Sequence, residues 1–346
     1  MTIEVKKYRE YLLTVLKDLL SVDSPTGFSK NVNARLTEIL AKSGYVAETT
    51  NKRVVKVSLK GSSSEKKIAV SAHVDTLGAM VRSITGDGKI RFTRLGGPTL
   101  PTFDGEYCRI YADGDKVYTG TFLSDSPSCH VYKDASTKER NEDTMYVRID
   151  EEVCSAEDVK KLGIRTGSLI AIDTKTTVTE SGFVKSRFLD DKAGSACLLT
   201  LLYAIKQEGV TPKYDVDFYF TNYEEVGHGA ATLAKDADEL LAVDMGCIGA
   251  DLACKETDVS ICVKDGHGPY DYEIVERLIA LAKENNLPFA ADVYPYYGSD
   301  VGAAWSAGAD VKGGLIGPGV HASHGMERTH VKGMEATIAL LAAYLG

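Results

Sequence analysis

The sequence lacks a long hydrophobic run. The longest, ACLLTLLYAI at residues 196–205, has ten residues, about half of the roughly 20 that a helix needs to cross a bilayer. The first 20 residues, MTIEVKKYREYLLTVLKDLL, carry charges throughout and lack the apolar core and cleavage site of a signal peptide. We therefore expect a core helix at residues 196–205, with no membrane association and no secretion.

Basic charge and paired cysteines are also scarce. The chain has 40 Lys and Arg against 49 Asp and Glu, a net charge of -9. Broad binding to nucleic acid or to an anionic membrane needs the opposite excess, so neither partner is expected. Its seven cysteines include no CxxC pair, and a chain this long can build a core without disulfides. We expect reduced thiols and a cytoplasmic protein.

The pattern of apolar residues changes twice along the chain. Residues 1–80 contain helical spacing followed by strand-like stretches such as KIAVSAHVDT. Residues 81–181 consist of short strand-like pieces broken by glycine and turn residues, which is typical of a small barrel or sandwich. Long helical segments resume in residues 182–346. This pattern predicts one α/β domain, formed by 1–80 and 182–346, that is interrupted by a β-rich domain at 81–181.

Candidate functional residues follow apolar strands, where α/β sheets collect their ligands. His73 and Asp75 follow one such run at i and i+2 and therefore project to the same side. A carboxylate is a usual partner for the second nitrogen of a metal-bound imidazole. A histidine and an aspartate in an ordinary loop are the alternative interpretation.

Two acidic pairs follow. Asp190 and Asp191 precede a helix and could simply cap it, but one aspartate can also bridge two divalent ions. Glu224 and Glu225 end the run FYFTNY. Adjacent side chains diverge, so one could bind an ion while the other acts as a general base. A solvated acidic pair is the alternative.

Further ligand types lie near the carboxyl end. Asp244 closes the apolar run LLAV, with Asp251 as a less well-placed alternative, and GPGVHASHGMERTH contains His321, His324 and His330. Together with the earlier residues these supply imidazoles and carboxylates, the mixture that suits Zn²⁺ or a similar ion.

The order of these motifs resembles that of the M42 family of dinuclear metallo-aminopeptidases, which includes tetrahedral, glutamyl and deblocking aminopeptidases. The motifs are His73-x-Asp75, Asp190-Asp191-Lys192-x-Gly194, Glu224-Glu225-Val226-Gly227, Asp244 and a late histidine. The resemblance implies a three-layer zinc-peptidase α/β domain interrupted by a small β-barrel that serves in dimerisation. It also implies two divalent ions, zinc or else cobalt or manganese, peptide substrates, and dimers that build a dodecamer.

The resemblance also implies roles for individual residues. His73 binds one ion and Asp75 orients it, while Asp190 bridges both ions. Glu225 belongs to the ion on the His73 side, and Glu224 is the general base. Asp244 binds the other ion, whose site is completed by the late histidine.

Two segments depart from the family pattern. The late histidine normally sits in a segment like RYIHSPVE. Aligning Glu327 with its glutamate leaves His324 one residue out of register and His321 farther away, so we select His324. The segment YYGSDVGAAWSAG resembles GGGTDA…AG, but Tyr297 stands where a glycine is common. We therefore expect a different substrate preference.

Other functions fit the residues less well. A two-carboxylate glycoside hydrolase would leave His73 and His324 without a role. A metal-dependent deacylase or deblocking hydrolase would use the same ligands. A binding protein with a dead peptidase scaffold would have lost a ligand or base, yet every position is filled. No G-x-S-x-G, P-loop or dinucleotide fingerprint is present.

Overall fold

The computed structural model describes residue 1 and residues 3–346 of the protein. Its α-helices, in chain order, are α1 (Arg9–Leu20), α2 (Lys30–Lys42), α3 (Ala156–Lys161), α4 (Leu189–Glu208), α5 (Tyr272–Glu284), α6 (Asp300–Ser306) and α7 (Val331–Leu345). Helix α4 contains the ten-residue apolar run and is buried along most of its length. The predicted core helix is therefore confirmed.

The strands fall into three groups. The amino-terminal strands are β1 (Glu48–Thr49), β2 (Val55–Leu59) and β3 (Ser63–His73). The middle of the chain forms β4 (Gly78–Ile84), β5 (Ile90–Leu95), β6 (Tyr107–Tyr111), β7 (Val117–Ser124), β8 (Met145–Ile149), β9 (Leu169–Ile172), β10 (Thr177–Val178) and β11 (Phe183–Ser186). The last group is β12 (Tyr214–Thr221), β13 (Glu239–Val243), β14 (Gly246–Cys247), β15 (Val259–Asp265), β16 (Gly268–Pro269), β17 (Phe289–Val293), β18 (Lys312–Val320) and β19 (Glu327–His330).

A mixed sheet in the order β1-β2-β12-β3-β13-β18-β15-β16 forms the centre of the molecule. Strands β12, β3, β13 and β18 are mutually parallel, with Thr221 opposite His73 and Val243 opposite Ile316. Both faces of these strands are covered by other elements, which explains their nearly continuous apolar sequences. Because they are parallel, all four carboxyl ends meet at one edge of the sheet.

Helices pack on both faces of this sheet. Successive glycines of β18 show the two sides: a methyl group on Gly313 would meet α6, whereas one on Gly314 would meet α5. Successive residues of a strand face opposite ways, so α5 and α6 lie on opposite faces. The structure thus has the predicted layered α/β arrangement.

A closed barrel interrupts this arrangement between β3 and α4. Its strands follow the order β4-β5-β8-β7-β6-β9, and its interior is filled by buried side chains such as Phe92, Ile110 and Phe122. The predicted fold class, an α/β domain interrupted by a small β-barrel, is confirmed. The domain boundaries at 80/81 and 181/182 and the role of the barrel in dimerisation stay predictions. Strands β10 and β11, which follow the barrel, form a separate sheet with β19.

Among the described residues, no helix combines the length and the apolar character needed to cross a membrane. All seven cysteines are free thiols, and Cys108, Cys197, Cys254 and Cys262 are buried.

Gly317 on β18 provides a test of how closely the central strands must approach. A methyl group added there would lie 1.7 Å from the carbonyl oxygen of Asp244, the residue directly after β13. We expect Gly317→Ala to lower the free energy of unfolding by about 1–3 kcal/mol, because backbone must move to make room. Gly249→Ala is the control, since a methyl group there meets nothing within 4 Å. Equal urea midpoints for the two variants would contradict this packing.

Candidate metal centre

The predicted site residues converge at the carboxyl edge of the parallel strands. His73 ends β3, the two glutamates follow β12, Asp244 follows β13, and His324 lies in the loop after β18. Asp190 is brought to the same place by the start of α4. Strand ends that are far apart in sequence thus meet because their strands are parallel neighbours.

Asp190 lies at the centre of the cluster. Its Oδ1 is 3.1 Å from Nε2 of His73, and its Oδ2 is 3.4 Å from Nε2 of His324. The hydroxyl of Ser323 also donates to Oδ2 at 2.9 Å. The two carboxylate oxygens therefore face two different imidazoles, which is the arrangement a bridging ligand between two ions requires.

The outer nitrogen of each histidine is held by a main-chain carbonyl. Nδ1 of His73 lies 2.9 Å from the carbonyl oxygen of Asp75, and Nδ1 of His324 lies 2.9 Å from that of Gly97. If each Nδ1 donates its proton there, each Nε2 is left with a lone pair directed at the cluster. Gly97 follows β5, so the barrel domain helps to orient His324.

The carboxylate of Asp75, expected to orient the His73 ring, makes its hydrogen bonds elsewhere. The carboxylate Oδ1 is 3.6 Å from Nδ1 of His73, farther than the main-chain carbonyl. Its oxygens instead accept hydrogen bonds from the Thr26 hydroxyl at 2.7 Å and from the backbone N–H of Glu224 at 3.2 Å. The main chain of Asp75 thus orients His73, while its side chain holds the turn that carries Glu224.

The adjacent glutamates lie in a turn after the strand. Strand β12 ends at Thr221, Tyr223 has a left-handed backbone (φ 68°), and a 3-10 turn spans Glu224–Val226. Oε2 of Glu224 lies 3.8 Å from Nε2 of His73, whereas Oε2 of Glu225 lies 3.6 Å from Nε2 of His324. The two carboxylates therefore approach different histidines.

Asp244 completes the cluster on the side of His73. Ligand atoms of His73, Asp191 and Asp244 lie within 4.8 Å of one another, as do those of His73, Asp190 and Glu225. Asp191 is held by backbone N–H groups, accepting from His73 at 3.2 Å and from Gly194 at 3.0 Å. A methyl group on Gly194 would lie 2.3 Å from the Asp191 carboxylate, which accounts for the glycine of this motif.

The alternative ligands raised by the sequence lie elsewhere. Asp251 is exposed in a left-handed turn (φ 62°). His321 is exposed, and its backbone pairs with that of Arg328 in an isolated antiparallel β-bridge. His330 accepts the Lys332 N–H at the start of α7 and lies 2.8 Å from a carbonyl of Ser181. Of the three late histidines, His324 is the one that the structure brings to Asp190.

Glu327 has a role that the motif register alone did not assign. Its side chain is 1 % exposed, and its two oxygens accept the backbone N–H groups of Asp190 and His324, each at 3.1 Å. This carboxylate therefore ties together the segments that carry two candidate ligands. In the sequence, only its alignment with the glutamate of RYIHSPVE pointed to Glu327 as a residue of the site.

The buried Lys192 of the same motif has a structural role. Its Nζ donates to the main-chain carbonyls of Leu19 at 2.9 Å and Val22 at 2.7 Å. Burial lowers the pKa of this ammonium group to about 7. The lysine joins the end of α1 to the start of α4, and it thereby helps to fix the segment that carries Asp190.

The concentration of acids inside the protein disfavours their ionised forms. Burial raises the pKa values of Glu224 and Glu225 well above their usual range, and burial together with the charge of Asp190 raises that of Asp244 to about 7. For His73, burial opposes protonation, but the hydrogen bonds to Asp190 and Asp75 and the charges of Glu224 and Asp244 together outweigh it and raise the pKa. Cations would favour the ionised carboxylates.

The donor set fits a divalent metal. Two imidazoles and several carboxylates are ligands suited to zinc and similar ions. Among the described residues, the buried Oε1 of Glu225 has no hydrogen-bond partner, although buried carboxylate oxygens are normally satisfied. A metal ion would supply the missing partner.

A cavity of about 480 Å³ lies over this cluster. Its other walls come from the segments around Met245 and Tyr297 and, on the barrel side, from Gly97 and Thr99. The volume is in the range of a small-ligand site.

The sequence model described as M42 glutamyl aminopeptidase matches residues 54–340. The chain belongs to the M42 peptidase family. YhfE of Bacillus subtilis (strain 168) is 41 % identical to it over 334 residues, which cover 96 % of each chain. The resemblance seen in the motifs is therefore confirmed, and this M42 peptidase is an enzyme of the aminopeptidase class.

Solved structures of other peptidases share the fold. A TET aminopeptidase from a marine-sediment Thaumarchaeota archaeon superposes with a TM-score of 0.87 at 21 % identity, covering 97 % of this chain and 96 % of that one. For the Pyrococcus horikoshii TET1 peptidase the TM-score is 0.85 at 20 % identity, with 96 % and 99 % covered. That peptidase is described as assembling into a tetrahedron or a large octahedral shell.

The contacts of Glu327 lead to a prediction about metal affinity. An amide can accept only one of the two N–H groups that Glu327 now accepts, and its own NH₂ would face the other donor. We expect Glu327→Gln to weaken metal affinity by about 10- to 100-fold, measured by titration of apo-protein. Arg328→Ala is the control, because Arg328 is exposed and pairs with Glu256. Equal affinities in both variants would exclude this role.

Proposed function

We propose that the protein is a two-ion metallo-aminopeptidase that removes the first residue of a peptide, with Glu224 as its general base. The observation that carries this proposal is the placement of Asp190 between the Nε2 atoms of His73 and His324, at 3.1 and 3.4 Å. Family membership supports the reaction class. The number of ions rests on this geometry, and the choice of base rests on the position of Glu224, whose Oε2 lies 3.8 Å from Nε2 of His73.

The distances support a division of ligands that differs from the one implied by the sequence resemblance. Glu225 was expected on the His73 side, and it does lie within 4.8 Å of His73, but its Oε2 is only 3.6 Å from Nε2 of His324. His324, Glu225 and Asp190 would hold one ion. His73 and Asp244, which lie in one group within 4.8 Å, would hold the other together with Asp190.

Asp75 contacts both halves of the proposed machinery. Its carbonyl holds His73 and its carboxylate holds the N–H of Glu224. It therefore serves as a positioning residue rather than as a ligand.

Two divalent ions at this site would polarise the scissile carbonyl, lower the pKa of an attacking water and stabilise the oxyanion. Glu224 would take a proton from that water and return it to the leaving amine. Its raised pKa, caused by burial, increases its affinity for that proton. Asp75 accepts its backbone N–H at 3.2 Å and so holds the turn that places Glu224 beside the cluster.

The acidic cluster also accounts for cleavage at the amino terminus of a peptide rather than within it. The cavity is lined at this end by Asp190, Glu224, Glu225 and Asp244, where the positively charged α-amino group of a peptide can donate a hydrogen bond to a carboxylate oxygen. An amino terminus held at the cluster places the first peptide bond over Glu224. An N-acylated substrate lacks this charge and is the substrate that a deacylase would accept.

We also propose self-association, with the barrel as the dimer contact and a dodecamer as the final assembly. The large assemblies described for the TET1 relative support this proposal. The barrel strands carry the exposed side chains of Tyr107 (63 %) and Val117 (47 %), which a partner could cover. A cytoplasmic location, with its free thiols reduced, belongs to the same proposal.

Metal removal tests the proposed reaction. Treatment with a chelator should abolish hydrolysis of aminoacyl substrates, and Zn²⁺, Co²⁺ or Mn²⁺ should restore it, because the ions activate the water. Free and N-acetylated peptides are compared in the same assay. Activity that survives complete metal removal, or a preference for acetylated peptides, would contradict the proposal.

Paired substitutions separate the functions of the two glutamates. Glu224→Gln should retain both ions but lose about 10²- to 10⁴-fold in kcat, since the amide cannot take up the proton. Glu225→Gln should bind less metal, because an anionic ligand becomes neutral. Glu284→Gln, at an exposed position on α5, should change neither property. Metal content by elemental analysis and kcat distinguish the cases, and equal metal loss in the first two variants would refute this division.

A further inference from the structure

The cavity has two unlike ends beyond the metal cluster. On the barrel side it is lined by Gly97 and Thr99, which are exposed. Another part of the lining includes Met245, Ser299 and Ala303, which are between 3 and 8 % exposed, with the exposed Tyr296 and His267 beside them; we call this part the closed side. With an amino terminus at the cluster, the open side suits the rest of the peptide. The closed side then receives the side chain of the first residue.

The closed side is lined mainly by apolar and hydroxyl-bearing side chains. Its lining consists of Met245, Cys247, Tyr297 and Ala303, together with residues near them that include His267. Among the described residues that line the cavity, every Asp and Glu belongs to the acidic cluster, and neither Lys nor Arg occurs. A charged side chain bound here would lose water without gaining an opposite charge, which is costly.

Tyr297 forms a fixed boundary of this side. Its hydroxyl donates to the carbonyl of Met245 at 3.0 Å, and its own carbonyl accepts the N–H of Gly266 at 3.0 Å. Its ring meets Tyr294 edge-on, with 5.0 Å between centroids. The side chain is thus restrained at its hydroxyl and at its ring, and its main chain is held as well, so it limits the length of the group that enters.

Taking the proposed function as the basis, we infer that the closed side selects peptides whose first residue is a neutral aliphatic one such as leucine or methionine. Thioether and aromatic surfaces suit such side chains. This preference differs from the amino-terminal glutamate that the name of the matching family model, M42 glutamyl aminopeptidase, denotes. Tyr297 sets the size limit, and the lack of a countercharge disfavours lysine, arginine, glutamate and aspartate.

A panel of aminoacyl p-nitroanilides with the metal-loaded, full-length enzyme tests the preference. We expect kcat/KM for the leucine and methionine substrates to exceed that for lysine, arginine, glutamate and aspartate by at least about tenfold. A charged residue as the best substrate would overturn the inference while leaving the aminopeptidase reaction intact. Failure to cleave any member with any metal would instead refute the proposed function.

One substitution tests the missing countercharge. Ala303→Asp places a carboxylate on the closed side, so the ratio of kcat/KM for lysine over leucine should rise at least about tenfold. Ala307→Asp adds the same charge four residues later at an exposed position, and its ratio should stay at the wild-type value. Equal ratios in two folded, metal-loaded variants would overturn the assignment of this wall.

A second substitution tests the size limit independently. Tyr297→Ala should raise the ratio of kcat/KM for phenylalanine over leucine by about tenfold or more, because the boundary ring is removed. Tyr297→Phe keeps the ring and should retain the wild-type ratio. Metal content is measured in both, since Tyr297 contacts the residue after Asp244. An unchanged ratio in Tyr297→Ala with full metal content would exclude Tyr297 as the boundary.

Discussion

The structure depends on holding several carboxylates together inside the protein around Asp190. Each would be more stable in water, and burial, with their mutual repulsion as a smaller cause, raises the pKa values of Glu224, Glu225 and Asp244. Such a cluster persists only if the backbone fixes it and cations compensate its charge. The parallel sheet meets the first requirement by ending several strands at one edge. The proposed ions meet the second.

A second set of carboxylates fixes the segments that carry the ligands. Asp75 accepts the N–H of Glu224, Asp191 accepts that of His73, and Glu327 accepts those of Asp190 and His324. In each case an acid near the cluster binds main chain, which stabilises its charge and immobilises a neighbouring ligand. Similar acids at similar depth thus have different functions, and their hydrogen-bond partners distinguish them.

The inserted barrel also contributes to the cluster. The loop after β5 places the carbonyl of Gly97 2.9 Å from Nδ1 of His324, and the N–H of Thr99 donates to the carbonyl of His324 at 3.0 Å. The same loop lines the open side of the cavity. A contact between the barrel and another subunit could therefore reach the site through this short loop.

The sequence by itself determined the kinds of element and the chemistry. Apolar periodicity distinguished the two α/β parts from the barrel, because the buried faces of helices and strands require apolar residues at a regular spacing in the sequence. The motifs around His73, Asp190 and Glu224 indicated a metal site, since metal ligands are restricted to a few residue types, and their order resembled that of the M42 aminopeptidases. Only the tertiary structure brought Oε2 of Glu225 to 3.6 Å from Nε2 of His324, showed Asp75 holding the backbone of Glu224, and brought Gly97 to the site. These contacts join residues far apart in the chain. A contact of this kind produces no local pattern in the sequence, so it cannot be predicted from periodicity.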